Sequence, residues 1–393
     1  MHDDRLARFT LMERRCTVVA EVLTAFRWMV TRSVRTDRVC RNITSGLVLR
    51  CLCHGWCSAV AGDSPHTCYG RNGCYSVTVE SGSMSTYRNA GLFVLLAILW
   101  GTAFMAIRAG LAFIPPVLFA AIRYDIAAVI MLVYAAFVTE RWRPRTRADW
   151  TAVAINGLLV IGAYNGFLFV GQEGVTSAVA AILVALNPIL ATAVSRIALP
   201  DERLSLVGTI GLLLGFVGVG IVARPNPADL LTTNFLAQLL ISGAAASIAL
   251  GSVLVQRVDD DMSGEGTTAW ACLVGAVMLH AMTLGMPGQS LAQAQWTIGA
   301  VLAVGYLGVL ASAVGYFIYF DLLDRLGPIE INLISYVTPI PAAISGWLIL
   351  GETIDLSSIL GFVVIFGGFV LIKRKAIVAE LPRLRTALGR TPE

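Results

Sequence analysis

Downstream of residue 83 the chain is divided into ten apolar stretches separated by short polar loops. A helix of about twenty residues, rising about 1.5 Å per residue, crosses a hydrocarbon core of about 30 Å. In that solvent each backbone polar group must be satisfied within its own segment, so uninterrupted apolar stretches of this length dictate helices. Composition agrees, with 56% hydrophobic and only 14% charged residues and a mean hydropathy of +0.74, beyond what a soluble core requires. The pattern predicts an all-α integral membrane protein with ten transmembrane helices. The expected spans are Ala90 to Leu111, Pro116 to Val138, Trp150 to Val170, Ser177 to Leu199, Leu204 to Ala223, Phe235 to Val255, Thr268 to Leu284, Thr297 to Leu322, Ile329 to Leu350 and Ser357 to Ile372.

Residues 1–83 do not share this pattern. They hold seven of the eight cysteines, eleven arginines, seven acids and no lysine, and no segment among them reaches spanning length. Their surplus of positive charge equals the +4 of the whole chain, so residues 84–393 are neutral overall, with eighteen basic and eighteen acidic side chains. A metal site from Cys51, Cys53, His54, Cys57, His66, Cys68 and Cys74 is disfavoured, because Cys53 to Cys57 is the one clear ligand-type pair. A disulfide scaffold is disfavoured by the odd count. The expectation is an extension without a role, either disordered or translated from upstream of a start at Met84.

Arginines mark alternate loops. Arg141, Arg143, Arg145 and Arg147 follow the second span, Arg196 and Arg203 the fourth, Arg325 the eighth, and Lys373-Arg374-Lys375 ends the tenth. The intervening loops carry almost no basic residues, which predicts a multi-pass cell-membrane protein with both termini cytoplasmic. The halves also resemble each other. Asn187-Pro188-Ile189-Leu190-Ala191 matches Thr338-Pro339-Ile340-Pro341-Ala342 at an offset of 151, Leu199 matches Leu350, and past one extra residue Glu202, Gly211 and Gly218 match Glu352, Gly361 and Gly368. A repeat with an odd number of spans re-enters the membrane from the other side, so two inverted five-helix repeats are expected. Residues 84–225 form the first, 226–266 the linker together with the start of the sixth helix, 234–375 the second repeat, and 376–393 a cytoplasmic tail. Inverted repeats suit alternating access around a shared central site.

At these residues the chain resembles the drug/metabolite transporter superfamily, as a protein with two EamA domains. The resemblance rests on Leu99-Trp100-Gly101-Thr102-Ala103-Phe104, the Pro115/Pro116 to Arg123-Tyr124 segment, and the Pro188-to-Glu202 and Pro339-to-Glu352 stretches, and covers about residues 88 to 375. Leu199-Pro200-Asp201-Glu202 departs from the family's Leu-Gly-Glu. The resemblance implies a ten-helix exporter or permease for metabolites, with a cavity between the halves.

Ionisable groups at membrane depth are functional candidates by default, because burying them is costly. Arg123 suits an anionic or carboxylate-bearing solute through its planar fork, against the alternative of a structural arginine bonded to backbone carbonyls. Asp125, two positions on, points to another face, as a proton-coupling carboxylate or a partner for a neighbouring helix. His280 is weighed as a proton relay or a satisfied interface residue. Pro188 and Pro339 predict helix kinks at equivalent positions. Asn187, Ser335, Tyr336 and Thr338 beside them are candidate cavity-lining groups. Trp100, Thr102 and Phe104, with Tyr164, Asn165 and Tyr316, add aromatic and hydrogen-bonding surface suited to an amphipathic solute.

The glycine rows Gly208, Gly211, Gly215, Gly218 and Gly361, Gly367, Gly368 predict close helix packing. Glu202 and Glu352 are expected at helix termini, and Asp259-Asp260-Asp261 with Glu265 as a solvated linker joining the halves. No nucleotide loop, nucleophile elbow, dinucleotide fingerprint or metal-ligand cluster occurs in the membrane region, so no cofactor, metal or enzymatic activity is expected. The expected partners are a small-molecule substrate and the lipid bilayer, with a homodimer as an open assembly. Nucleic acid is not expected, since the excess of arginine over lysine, 27 to 2, reflects coding bias. The function expected is secondary transport of a small organic metabolite, the alternative being an uncoupled channel or scaffold.

Overall fold

The computed structural model describes residues 67–70, 73–76, 82–198, 206–223 and 233–387. Two compact units divide the chain, Met1–Ser81 and Gly82–Glu393. In the first, strands β1 (Thr67–Gly70) and β2 (Gly73–Ser76) pair antiparallel, with Cys68 opposite Tyr75 and Tyr69 opposite Cys74. This hairpin was not expected from the sequence. The other cysteines weighed above as metal or disulfide candidates lie outside the described residues.

Among its described residues the second unit holds ten long helices: α1 (Gly82–Gly110), α2 (Pro116–Val138), α3 (Arg147–Gly171), α4 (Ser177–Arg196), α5 (Leu206–Ala223), α6 (Thr233–Val255), α7 (Gly264–Gly285), α8 (Ile298–Leu326), α9 (Glu330–Leu350) and α10 (Leu356–Ala387). Eight of the described helices are long and apolar enough to cross a membrane, and α5 and the Leu356–Ile372 part of α10 are shorter apolar helices. Each of the ten expected spans falls on one of these helices over its described residues. The tenth continues past its apolar part to Ala387, so most of the expected tail is helix. Polar caps set several starts. Thr146 and Asp149 form a capping box at α3, while Thr176, Ser263 and Thr297 accept from backbone N–H groups at α4, α7 and α8. Large apolar side chains such as Phe137, Leu239, Val301, Leu348 and Val363 are more than half exposed, the surface expected of a protein solvated by lipid.

The helices interrupt themselves in a pattern that repeats. In α4 the ladder breaks at Ala185 and Leu186, immediately ahead of Asn187-Pro188. In α9 it breaks at Leu333 and at Thr338, immediately ahead of Pro339. Proline lacks the N–H that would close the ladder, and its ring crowds the preceding turn. The third helix of each half carries a long π segment in the same place, Asn156–Ala163 in α3 and Tyr306–Val314 in α8.

Packing exhibits the same symmetry. Helix α2 packs on α7, α5 on α10 and α4 on α9; α1 packs on α9 and α8 as α6 packs on α4 and α3; α3 packs on α7 as α8 packs on α2. Exchanging each helix with its counterpart five positions on returns these same pairs, while α2–α3 and α1–α4 pack more extensively than their counterparts. The α5–α10 seam fixes the direction. A Cβ added at Gly211 would lie 2.6 Å from the Gly368 carbonyl oxygen, and one at Gly218 would lie 2.8 Å from that of Gly361. The earlier glycine of one helix therefore faces the later glycine of the other, so these equivalent helices run antiparallel. Two repeats whose equivalent helices are antiparallel are inverted.

One expectation changes. Asp259-Asp260-Asp261 does not join the halves but lies between α6 and α7, where it docks on the α2–α3 loop. The Asp261 carboxylate is 3.2 Å from Arg141, and the Asp261 N–H donates to Asp149 at 3.2 Å. The junction itself, residues 224–232, is outside the described residues, as are Glu202 and Arg203.

At the end of the bundle where α3 passes into α4, two long-range contacts hold the turn. Arg108 of α1 donates to the carbonyls of Gln172 and Glu173 at the α3 C-terminus, at 3.2 and 2.7 Å. Glu352, just past α9, accepts from the Ser177 N–H and hydroxyl at the α4 N-terminus, at 3.0 to 3.2 Å. Each charge complements the helix end it meets. Glu352→Ala is expected to lower stability by about 1–3 kcal/mol, because it removes a carboxylate acceptor from a partly buried helix start. Thermal unfolding of the purified protein checks this, and an unchanged midpoint would show that the contact contributes nothing.

Candidate functional site

The two π segments flank one buried cation. Arg123, on α2, is 9% exposed. Its Nε donates to the Ser312 hydroxyl in the π segment of α8 at 3.0 Å, and its Nη1 lies 3.5 Å from Asn165 Oδ1, two residues past the π segment of α3. The Asn165 amide donates in turn to the Tyr124 hydroxyl at 3.1 Å and to the Ile161 carbonyl at 2.8 Å. Aromatic faces complete the wall, with the guanidinium carbon 5.0 Å from the Tyr124 ring centroid and 5.9 Å from that of Phe169. Among the described residues no carboxylate pairs with Arg123. A guanidinium offers five N–H donors, and here two protein acceptors and two rings meet it.

A π segment widens the helix and leaves carbonyls out of the regular ladder, where side chains can take them up. Ile161 is met by Asn165, Leu159 by the Ser247 hydroxyl of α6 at 2.8 Å, and Ala311 by the Trp100 indole of α1 at 3.0 Å. Helices α1 and α6 are counterparts, so each half lends a side chain to the opened helix of the other. Trp100 also meets Tyr316 edge to face at 6.5 Å. Thr102 hydrogen-bonds the Tyr306 hydroxyl, which donates to the Leu99 carbonyl at 3.0 Å. Between Trp100 and Thr102, a Cβ on Gly101 would fall 2.6 Å from the Thr338 carbonyl oxygen, so glycine there lets α1 lie against the break in α9.

The structure brings Arg123 and Asn165 together, while Tyr164, beside Asn165 on α3, packs against the buried core. Trp100, Thr102 and Tyr316 gather along the adjoining seam of α1 and α8. Tyr336 is placed differently: it is buried, stacks on Phe369 of α10 at 4.3 Å and, among the described residues, leaves its hydroxyl without a partner. Asn187 likewise has a buried Oδ1 without a partner, and Pro188 follows it in the second segment of α4. Ser335 accepts at its carbonyl from Thr338. Asp125 and His280, weighed singly in the sequence, meet each other across α2 and α7 at 2.8 Å, both side chains about half exposed.

Ser312, Phe169 and Tyr306 were not singled out by the sequence, and Tyr124 only as the end of a segment carrying the resemblance. One signal was available, since Ser312 stands at the repeat offset from Ile161, whose carbonyl belongs to the same site in the other half.

Ten helices in two inverted copies, meeting around a buried cation, define a polytopic membrane protein of the transporter class. The chain belongs to the EamA-like transporter family, which matches residues 89–224 and again residues 235–374, one five-helix repeat each. It is 30% identical over 274 residues to the uncharacterized transporter YdfC of Bacillus subtilis (strain 168), covering 70% of this chain and 87% of that protein. It is 25% identical over 289 residues to the uncharacterized transporter YvbV of the same organism, covering 74% and 92%. The uncharacterized inner membrane transporter YedA of Escherichia coli (strain K12) is 27% identical over 284 residues, covering 72% and 89%. A crystal structure sharing 19% identity superposes with a TM-score of 0.51, over 74% of this chain and 98% of that one, and supports the fold.

Proposed function

We propose that the chain is a secondary transporter that carries a small organic solute bearing a carboxylate or similar anionic group, by alternating access of the site around Arg123. One observation carries this: a nearly buried guanidinium at the seam of the two repeats, held by hydroxyl, amide and aromatic groups and by no acid among the described residues. An arginine at membrane depth is costly, and an anionic solute would supply the missing countercharge. The aromatic and hydroxyl groups of Trp100, Tyr164, Thr102 and Tyr316 suit the organic remainder of such a solute. The inverted repeats supply two equivalent arrangements that can exchange. Protons or the solute's own gradient drive the cycle. The distribution of arginines among the loops supports a cytoplasmic location for both termini.

Flux of labelled organic carboxylates into vesicles reconstituted with the full chain tests this proposal. Saturable, pH-gradient-responsive flux is the expected result for a proton-coupled carrier, and saturable flux indifferent to the pH gradient for a uniporter. Flux that rises without saturation would indicate a channel and would overturn alternating access. Tagging the loops that hold Arg141 and Arg325 should place both on the cytoplasmic side.

A further inference from the structure

A second site lies away from Arg123, where α3 and α7 begin. Arg141, Arg143, Arg145 and Arg147 alternate along the α2–α3 loop and the start of α3, all exposed. A cavity of about 210 Å³ is lined by Arg141, Arg143, Arg145, Thr146, Asp149 and Asp261. Its two carboxylates are already engaged. Asp261 pairs with Arg141, and Asp149 accepts from the N–H groups of Arg145, Thr146 and Asp261 at 2.8, 2.9 and 3.2 Å. Arg143 and Arg145 have no ion-pair partner among the described residues, and the Arg143 guanidinium lies 4.4 Å over the Trp142 ring. The cavity therefore presents two unmatched cations.

Directly beneath is a belt of three tryptophans. Trp142 stacks on Trp270 at 6.5 Å, Trp150 meets Trp270 edge to face at 5.6 Å, and the Trp270 indole donates to the Trp142 carbonyl at 3.0 Å. Trp150 and Trp270 form the mouth of an apolar groove of about 430 Å³, walled by Leu158 of α3 and by Leu273, Val274, Val277 and Met278 of α7. The two cavities adjoin, since consecutive residues Asp149 and Trp150 line one each. A cationic pocket, an aromatic belt and an apolar groove in that order match an anionic glycerophospholipid from phosphate to acyl chain.

We propose that this surface holds one anionic phospholipid, its phosphate on Arg143 and Arg145 and one acyl chain in the α3–α7 groove. The proposal is independent of what Arg123 binds. Native mass spectrometry of the full chain in detergent, titrated with phosphatidylglycerol and with phosphatidylcholine of identical chains, tests it. Phosphatidylglycerol should be retained selectively. Arg143→Gln with Arg145→Gln should weaken it about thirtyfold, each arginine near a headgroup contributing a factor of about five. Val277→Trp, which fills the groove, should weaken retention with both headgroups intact, and Arg325→Gln, a charge loss elsewhere, should leave it unchanged. Equal retention of the two lipids, insensitivity to the double substitution, or an equal effect of Arg325→Gln overturns the proposal. Displacement of the lipid by inorganic phosphate alone would also overturn it, assigning the arginines to a soluble anion instead.

Discussion

Arg123→Met abolishes saturable flux of an anionic solute while leaving the empty protein at least as stable as the parent. Truncating a buried, hydrogen-bonded charge at a binding site typically costs about 2–5 kcal/mol of affinity, roughly 30- to 4,000-fold. Stability should move the other way, because methionine fills similar volume without the cost of a cation held at membrane depth. A structural arginine would behave oppositely, since its loss would orphan Ser312 and Asn165 and lower the unfolding midpoint. Arg123→Lys keeps the charge but not the planar fork that can meet a carboxylate in two places, so an intermediate loss is expected. Flux and thermal unfolding on the same preparations decide the matter: a destabilised Arg123→Met with unchanged transport kinetics of the folded fraction would remove Arg123 from the site.

The second large effect is expected at the α5–α10 seam. Gly218→Leu places side-chain atoms where the Gly361 carbonyl stands, and Gly361→Leu meets the Gly218 carbonyl 2.7 Å from its own Cβ. Backbone cannot yield as a flexible side chain does, so the helices must separate, at more than the about 1–3 kcal/mol typical of an overpacked core. The result is a large drop in the unfolding midpoint or loss of folded protein. Gly220 and Gly367, on the same two helices, have nothing within 4 Å of an added Cβ. Leucine at either should be tolerated. Equal effects at Gly218 and Gly220 would show that the seam does not depend on close approach.

These predictions depend unequally on sequence and structure. The glycine seam was legible, because Gly211 and Gly218 recur as Gly361 and Gly368 and small residues in membrane helices exist to let backbones approach. The partner of each glycine was not, since that depends on how two helices cross. Arg123 was legible as a charge inside an apolar stretch, and Asn165 as an amide near mid-span. Their meeting with Ser312, 189 residues from Arg123, was not.

By itself the sequence determined how many apolar helices the chain forms, roughly where each lies, and that its halves are copies of opposite direction. These follow from local quantities: apolar length against bilayer thickness and the parity of five spans. Only the tertiary structure decided which faces of those helices meet. It paired Asp125 with His280, turned Tyr336 onto Phe369, opened α3 and α8 into π segments, and folded the α6–α7 loop onto Arg141. The reason is that lipid and protein interior are nearly equally apolar. Hydrophobicity that says so clearly where a helix lies therefore says little about its rotation, which is settled by close packing and by the few polar groups that must find one another.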